Sequence, residues 1–161
     1  MLFRSLDDVP TGLSDQKIVF DLDADGVCEN ISVPVGGGFL ALDKNGDGDI
    51  NDGSELFGTG SGDGFADLAE YDSDGNGWID EADPVFEKLK IWVVDANGNR
   101  QLYSLKDKDI GAICLSNTDT EFSLTSLMDN TLNGKIRKSG VFLYEDGRAG
   151  HMMHIDIAKR A

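Results

Sequence analysis

Apolar and polar positions follow two different rhythms along this chain, and three acid-rich stretches interrupt its first half. "KIVFDLD" (17–23) runs β-branched and aromatic residues straight into carboxylates, which predicts a strand ending in an acidic loop. "NISVPV" (30–35) predicts an edge strand, because Pro34 has no N–H to give to a central ladder. "GGG" (36–38) predicts a hinge or tight turn. "FLALD" (39–43) leads into a second acidic loop, after which "SELFG" (54–58) is long enough for one or two helical turns. In "FADLAEY" (65–71), Phe65, Leu68 and Ala69 share one face of a short helix that Ser61 or Asp63 would cap. A third acidic loop follows. "PVFEKL" (84–89) then predicts a helix with Pro84 in its first turn, where a missing N–H costs nothing.

The second half changes to the two-residue rhythm of strands. "KIWVVDANGNRQLYSL" (90–105) predicts a hairpin turning at Asn97-Gly98 in type I′ geometry, and Ser104 with Asp107 forms a capping-box pattern. "GAICLSN" (111–117) and "TEFSLTSL" (120–127) read as strands. "GKIRK" (134–138) reads as a solvated turn, and "GVFLYEDGRAGHMMHIDIA" (140–158) as a hairpin turning at Asp146-Gly147. Residues 1–16, broken by Pro10 and Gly12, form an irregular lead-in. The expectation is an α+β fold. Helix–loop–helix units of EF-hand type and DxDxDG loops fill an acidic half (17–92), packed on antiparallel β-hairpins of a β-rich half (93–161). With 161 residues, 17–161 makes one domain with one core.

Charge sharpens this picture. Thirty acidic residues face fourteen basic ones, for a net charge of −16. Residues 21–87 hold 18 Asp or Glu and one basic residue, Lys44, a local balance of −17. That much like charge costs folding free energy unless something positive arrives. Nucleic acid and anionic membranes are excluded as natural partners, since both reward Lys and Arg. Cations are favoured. Cys28 and Cys114 lie far apart, form no CxxC pair and read as two buried free thiols, with a single disulfide in an oxidising compartment as the alternative. No apolar run reaches membrane-span length, and the first residues contain none of signal-peptide length. The chain reads as a module of a longer protein.

The third loop, "DSDGNGWIDEAD" (72–83), fits the calcium-binding EF-hand pattern position by position. Asp72, Asp74 and Asn76 stand at positions 1, 3 and 5, where their oxygens converge on an ion around which the chain winds. Gly77 stands at position 6, Trp78 offers its carbonyl at 7, and Ile79 is the apolar residue at 8. Asp80 stands at 9, and Asp83 at 12 replaces the usual Glu. In the second loop Asp43, Asn45 and Asp47 take positions 1, 3 and 5, with Gly48 at 6, the Asp49 carbonyl at 7 and Asn51 at 9. Its closing carboxylate comes one place late at Glu55, with Asp52 as the other candidate. In the first loop Asp21, Asp23 and Asp25 precede Gly26, followed by the Val27 carbonyl and Glu29. Ser32 at position 12 leaves its shell to be closed from elsewhere in the fold. "DANGNRQLYSLK" (95–106) imitates the pattern, but Arg100 and Lys106 occupy the turn and closing positions, so a hairpin is expected there. Six to eight oxygens on flexible loops suit Ca2+ better than Mg2+, and the second and third loops lack the His or Cys that transition metals prefer. Three Ca2+ ions would bring six positive charges to the acidic half, coupling binding to folding.

"FDLDADGV", "GFLALDKNGDGDINDGSELFG" and "GFADLAEYDSDGNGWIDEADPVFEKLKIW", in this order over residues 17–92, resemble the calcium-binding modules of repeats-in-toxin (RTX) and related large bacterial surface or secreted proteins. The resemblance implies calcium-binding loops and an extracellular or cell-surface setting. Some members of that family form a self-processing module that cleaves an Asp-Pro bond at its N-terminal edge when calcium orders the fold. Here Asp15-Gln16 precedes the first expected strand, and the one Asp-Pro is Asp83-Pro84, read as a ligand followed by a first-turn proline. Thr59 stands after "SELFG", where an acid is expected in many relatives.

No enzyme motif competes with this reading. His151 and His154 lie three apart on an expected strand and so face opposite ways. No nucleophile has a recognisable base beside it, and the paired carboxylates are committed to calcium. The sequence therefore points to a calcium-dependent structural or interaction module that binds another protein or the rest of its parent chain. The alternatives are calcium-triggered Asp-Pro self-processing and a calcium sensor or buffer.

Overall fold

The computed structural model of the chain describes residues 2–5, 13–34, 37–95, 97–125 and 132–157. Ten strands dominate it: β1 (Leu2–Ser5), β2 (Leu13–Phe20), β3 (Glu29–Pro34), β4 (Gly37–Leu42), β5 (Trp78–Ile79), β6 (Leu89–Val94), β7 (Arg100–Ser104), β8 (Ile110–Thr125), β9 (Leu132–Tyr144) and β10 (Ala149–Ile157). Among the described residues, helix is limited to α1 (Gly64–Ala69) and two 3-10 turns, Gly53–Glu55 and Lys106–Lys108. Eight strands form one sheet in the order β5-β8-β9-β10-β1-β4-β6-β7, and β2 with β3 forms a separate antiparallel pair.

At β4 the large sheet is buried on both faces, which is why the sequence of that strand is apolar without alternation. All six of its residues are buried: Phe39 and Ala41 enter one apolar cluster, Leu40 and Leu42 the other. The first cluster also holds Phe20, Ile31 and Val33 of the β2–β3 pair, with Trp92 lying 4.9 Å from the Phe20 ring. The second holds Phe65 and Leu68 of α1, Ile79, Phe86, Phe142 and Met152. Burying both faces removes the polar positions that a half-exposed strand would need.

The expected α+β fold is overturned, since the protein is mostly β-sheet. The helix expected over 84–89 is a series of turns, in which the Asp83 carbonyl accepts the Phe86 N–H at 3.0 Å and the Val85 carbonyl the Lys88 N–H at 2.8 Å, three residues on in each case. The third loop is thus no helix–loop–helix: α1 enters it and turns leave it. Nor do two sequence halves pack against each other. β4 and β6 of the acidic half lie in the same sheet as β8–β10, joined through β1, which pairs with β10 on one side and β4 on the other. Residues 2–5 are therefore an interior strand where an irregular lead-in was expected.

Smaller expectations changed too. β2 begins at Leu13, and Gly37 and Gly38 belong to β4, with 35 and 36 outside the described residues. "GKIRK" lies inside β9, and the two strands expected over 111–127 form one bulged strand, β8, with 126 and 127 outside the described residues. The β6–β7 hairpin forms, but Val94 pairs with Arg100, so its loop is five residues long. Within that loop Asp95 accepts N–H groups from Asn97 and Asn99, each at 2.8 Å. Pro10, Gly12 and Ala96 lie outside the described residues. The hairpin at Asp146-Gly147 and the reciprocal Ser104–Asp107 hydrogen bonds form as expected, the latter opening only a 3-10 turn. Ala69 is exposed, Cys28 is exposed, and Cys114 is half-buried; both cysteines are free.

Candidate metal-binding loops

Three acidic loops close in the same way, beginning with the first carboxylate of each. Asp21 accepts the Gly26 N–H at 2.9 Å, Asp43 the Gly48 N–H at 2.8 Å, and Asp72 the Gly77 N–H at 2.9 Å. Each of these glycines has positive φ, between 82° and 88°, which lets the chain reverse at that point. One step on, the position-5 side chain accepts the position-7 N–H at 2.8–2.9 Å: Asp25 from Val27, Asp47 from Asp49, Asn76 from Trp78. Position 4 is also left-handed in all three, as Ala24 (φ 57°), Gly46 (73°) and Gly75 (68°). Ala24 alone of these carries a Cβ into that conformation.

The closing carboxylates are equivalent despite their different spacing. Glu55 accepts the N–H of Lys44 (position 2) at 3.0 Å and of Asn51 (position 9) at 2.8 Å. Asp83 accepts the N–H of Ser73 (position 2) at 2.8 Å and of Asp80 (position 9) at 3.1 Å. Both are buried. Glu55 at position 13 thus stands where Asp83 stands at position 12, and its longer side chain spans the extra residue. Asp52, the other candidate, instead caps the 3-10 turn by accepting the Ser54 N–H. In the first loop Glu29, from the start of β3, accepts the Leu22 N–H (position 2) at 3.2 Å. It takes half of that same role from position 9, which the spacing rule did not assign to it.

Two groups of three carboxylates converge, each with one oxygen per residue within 4.8 Å of the others: Asp21, Asp23 and Glu29, and Asp72, Asp74 and Asp83. Asp25 instead turns to the Val27 N–H. In the third loop the Asn76 amide donates to Asp74 at 3.1 Å and Asp80 at 3.3 Å, drawing the remaining side chains together. The second loop is held differently: the Asn45 amide donates to Asn51 at 2.7 Å and Asp47 at 3.4 Å, while Asp43 and Glu55 serve backbone N–H groups.

Electrostatics separate two members of the third loop. Burial raises the Asp83 carboxyl. The N–H groups of Asp80, Ser73 and Asp74 and the Ser73 hydroxyl outweigh it, so Asp83 lies below the ordinary carboxylate range. Asp74 lies above that range, through desolvation and then the crowding of Asp72 and Asp83. Carboxylates, side-chain amides and backbone carbonyls are the donors that hard cations take, and this donor set fits Ca2+.

The loops are mounted on different parts of the sheet. Trp78 and Ile79 pair with Cys114 and Ile113 of β8, so the apolar residue at position 8 of the third loop pairs with a strand, where an EF-hand would pair it with another loop. α1, which feeds this loop, is capped by Asp63 and fixed by the Lys138–Asp63 ion pair at 2.7 Å. Buried His154 accepts the Gly64 N–H through Nδ1 at 3.1 Å and meets Asp156 through Nε2 at 3.0 Å. His151 is exposed on the other side of β10, so the two histidines do face apart. A cavity of about 220 Å³ lies beside the first loop, lined by Asp23, Thr59 and Asp156 among others. Thr59 there donates its hydroxyl to the Gly53 carbonyl.

This β-sheet frame carrying three acidic turns places the chain in a known class: residues 6–158 match the model of the SPM domain, and the chain belongs to the SPM domain family. Iron-regulated protein FrpA of Neisseria meningitidis serogroup C is 32% identical over an alignment of 134 residues, with 75% of this chain and 11% of that protein covered. The chain thus corresponds to a small part of that relative. Among the described residues, no helix is long and apolar enough to cross a membrane.

Proposed function

We propose that this protein is a calcium-dependent structural and interaction module, folded or stabilised by about three Ca2+ ions held in residues 21–29, 43–55 and 72–83. One observation carries the reading: the same hydrogen-bonded turn recurs three times, closed by a position-1 carboxylate on a left-handed glycine. Metal-free, the convergent carboxylates repel one another; bound cations would remove that repulsion and lock the turns onto the sheet. The ligands would be Asp21, Asp23, Asp25, Glu29 and the Val27 carbonyl in the first loop. Asp43, Asn45, Asp47, Glu55 and the Asp49 carbonyl would serve the second, and Asp72, Asp74, Asn76, Asp80, Asp83 and the Trp78 carbonyl the third. The partner is another protein or the rest of a longer parent chain, in an extracellular or cell-surface setting of a bacterium. Extracellular modules of this kind hold calcium at about 10⁻⁴–10⁻³ M, weaker than a cytosolic sensor. Calorimetric titration of metal-free protein tests this, with Mg2+ as the control: fewer than two Ca2+ sites would sink it.

The second reading is calcium-triggered Asp-Pro self-processing, which the resemblance to self-processing modules favours. Within this chain it would act on Asp83-Pro84, whose carboxylate already accepts hydrogen bonds from Ser73 and Asp80. Intact mass after calcium addition separates the readings, since fragments parting between residues 83 and 84 would support processing.

A further inference from the structure

The first two loops touch through their backbones. The Gly53 N–H, from the turn that closes the second loop, donates to the Asp21 carbonyl of the first at 2.8 Å, and Asp21 and Asp52 form a parallel β-bridge. The fit leaves no slack: a Cβ on Gly53 would stand 1.6 Å from the Leu22 carbonyl oxygen. This junction lies inside both loops. Asp21 is the first carboxylate of one. Gly53 lies two residues before Glu55, whose carboxylate ties position 2 to position 9 in the other. The apolar side chains repeat the connection, because Leu22 of the first loop shares a cluster with Ile50 of the second and Leu56 just after it. Ile79 of the third loop lies in the other cluster, and its strand joins β8.

We propose that the first and second loops form one cooperative cation-binding unit, hinged at Asp21–Leu22 and Asp52–Gly53, while the third loop fills independently. The proposal rests on the calcium reading above and adds how its sites communicate. Ordering the 52–55 turn around a cation in the second loop sets the Gly53 N–H that holds the Asp21 carbonyl, so the first loop is partly ordered before its own ion arrives. Coupling of this kind is reciprocal, and typical magnitudes run from about 5- to 150-fold in affinity.

Each loop carries its own reporter, the amide of its position-6 glycine: Gly26, Gly48 and Gly77. Following the three by two-dimensional NMR during Ca2+ titration tests the proposal. In the intact chain Gly26 and Gly48 should titrate together, apart from Gly77. Asp43→Ala, in the second loop, should raise the Gly26 midpoint by about tenfold and leave Gly77 in place. Asp72→Ala, in the third, should leave Gly26 unmoved. Gly53→Ala should separate the Gly26 and Gly48 midpoints. Should Asp43→Ala fail to fold, the milder Asp47→Asn is read in the same way. A Gly26 midpoint indifferent to the second-loop variants, or equally sensitive to Asp72→Ala, overturns the coupling alone. If no glycine amide responds to Ca2+, the calcium reading itself falls and the coupling with it.

Discussion

Asp83 accepts both the backbone N–H and the hydroxyl of Ser73, at 2.8 and 2.9 Å, across the mouth of the third loop. With the Asp80 N–H on its other oxygen, this buried carboxylate ties the loop's ends together before any cation is considered. Replacing it by Ala removes a charged acceptor shared by the Ser73 N–H and hydroxyl and the Asp80 N–H. Asp83→Ala is expected to cost about 1–3 kcal/mol in metal-free urea unfolding. Because its folded pKa is depressed, Asp83 contributes stability above the ordinary carboxylate range that is lost as pH falls through the folded value. The variant should therefore lose less stability than the parent when the unfolding is repeated below about pH 4.

Asp74 has the opposite sign. Its carboxyl is raised, so in metal-free protein its charge is a burden that protonation relieves as pH falls. Asp74→Asn should raise the metal-free Tm and, at the same time, weaken Ca2+ binding in the third loop. A variant that lowers both would contradict the assignment.

At Ala24 the first loop asks an L-residue to adopt φ 57°, where its counterparts are Gly46 and Gly75. Ala24→Gly should stabilise the protein by about 0.5–1 kcal/mol in urea unfolding, the relief of left-handed strain exceeding the added chain entropy. The same change in a right-handed loop would destabilise.

His154 is fully buried with Nδ1 facing the Gly64 N–H, so its imidazole is neutral, and its pKa is lowered by burial despite Asp156 and Asp63. A basic group with a depressed folded pKa contributes stability above its unfolded value, about 6.5, that is lost as pH falls below it. Thermal melts should therefore fall between about pH 7 and pH 5. In His154→Phe, which strands the Gly64 N–H at a cost of about 1–3 kcal/mol, that fall should flatten.

Removing residues 1–5 deletes the strand between β10 and β4. The truncated chain should lose cooperative unfolding even in excess Ca2+, as read by calorimetry, because two four- and three-stranded remnants would each expose an edge.

The three loops were legible in the sequence because their geometry is local. Acid or amide at positions 1, 3 and 5 and glycine at 6 dictate a turn whose hydrogen bonds all fall within about ten residues. α1 and the β6–β7 and β9–β10 hairpins were legible for the same reason, through the Asp63 cap and Gly98 and Gly147. The helix expected at 84–89 was not, because its residues are held from outside the local pattern. Asp83 reaches back to Ser73 and Asp80, and Val85, Phe86 and Leu89 are drawn into the cluster over the sheet. Glu29 joined the first loop, and Gly53 locked onto Leu22, only when β3 and the second loop folded into place. Most non-local of all is β1: nothing in four residues near the N-terminus specifies a place between β4 and β10. The sequence by itself determined where the acidic turns form; the tertiary structure decided which loops are joined and on what frame they stand, because strand pairing depends on partners far away in the chain.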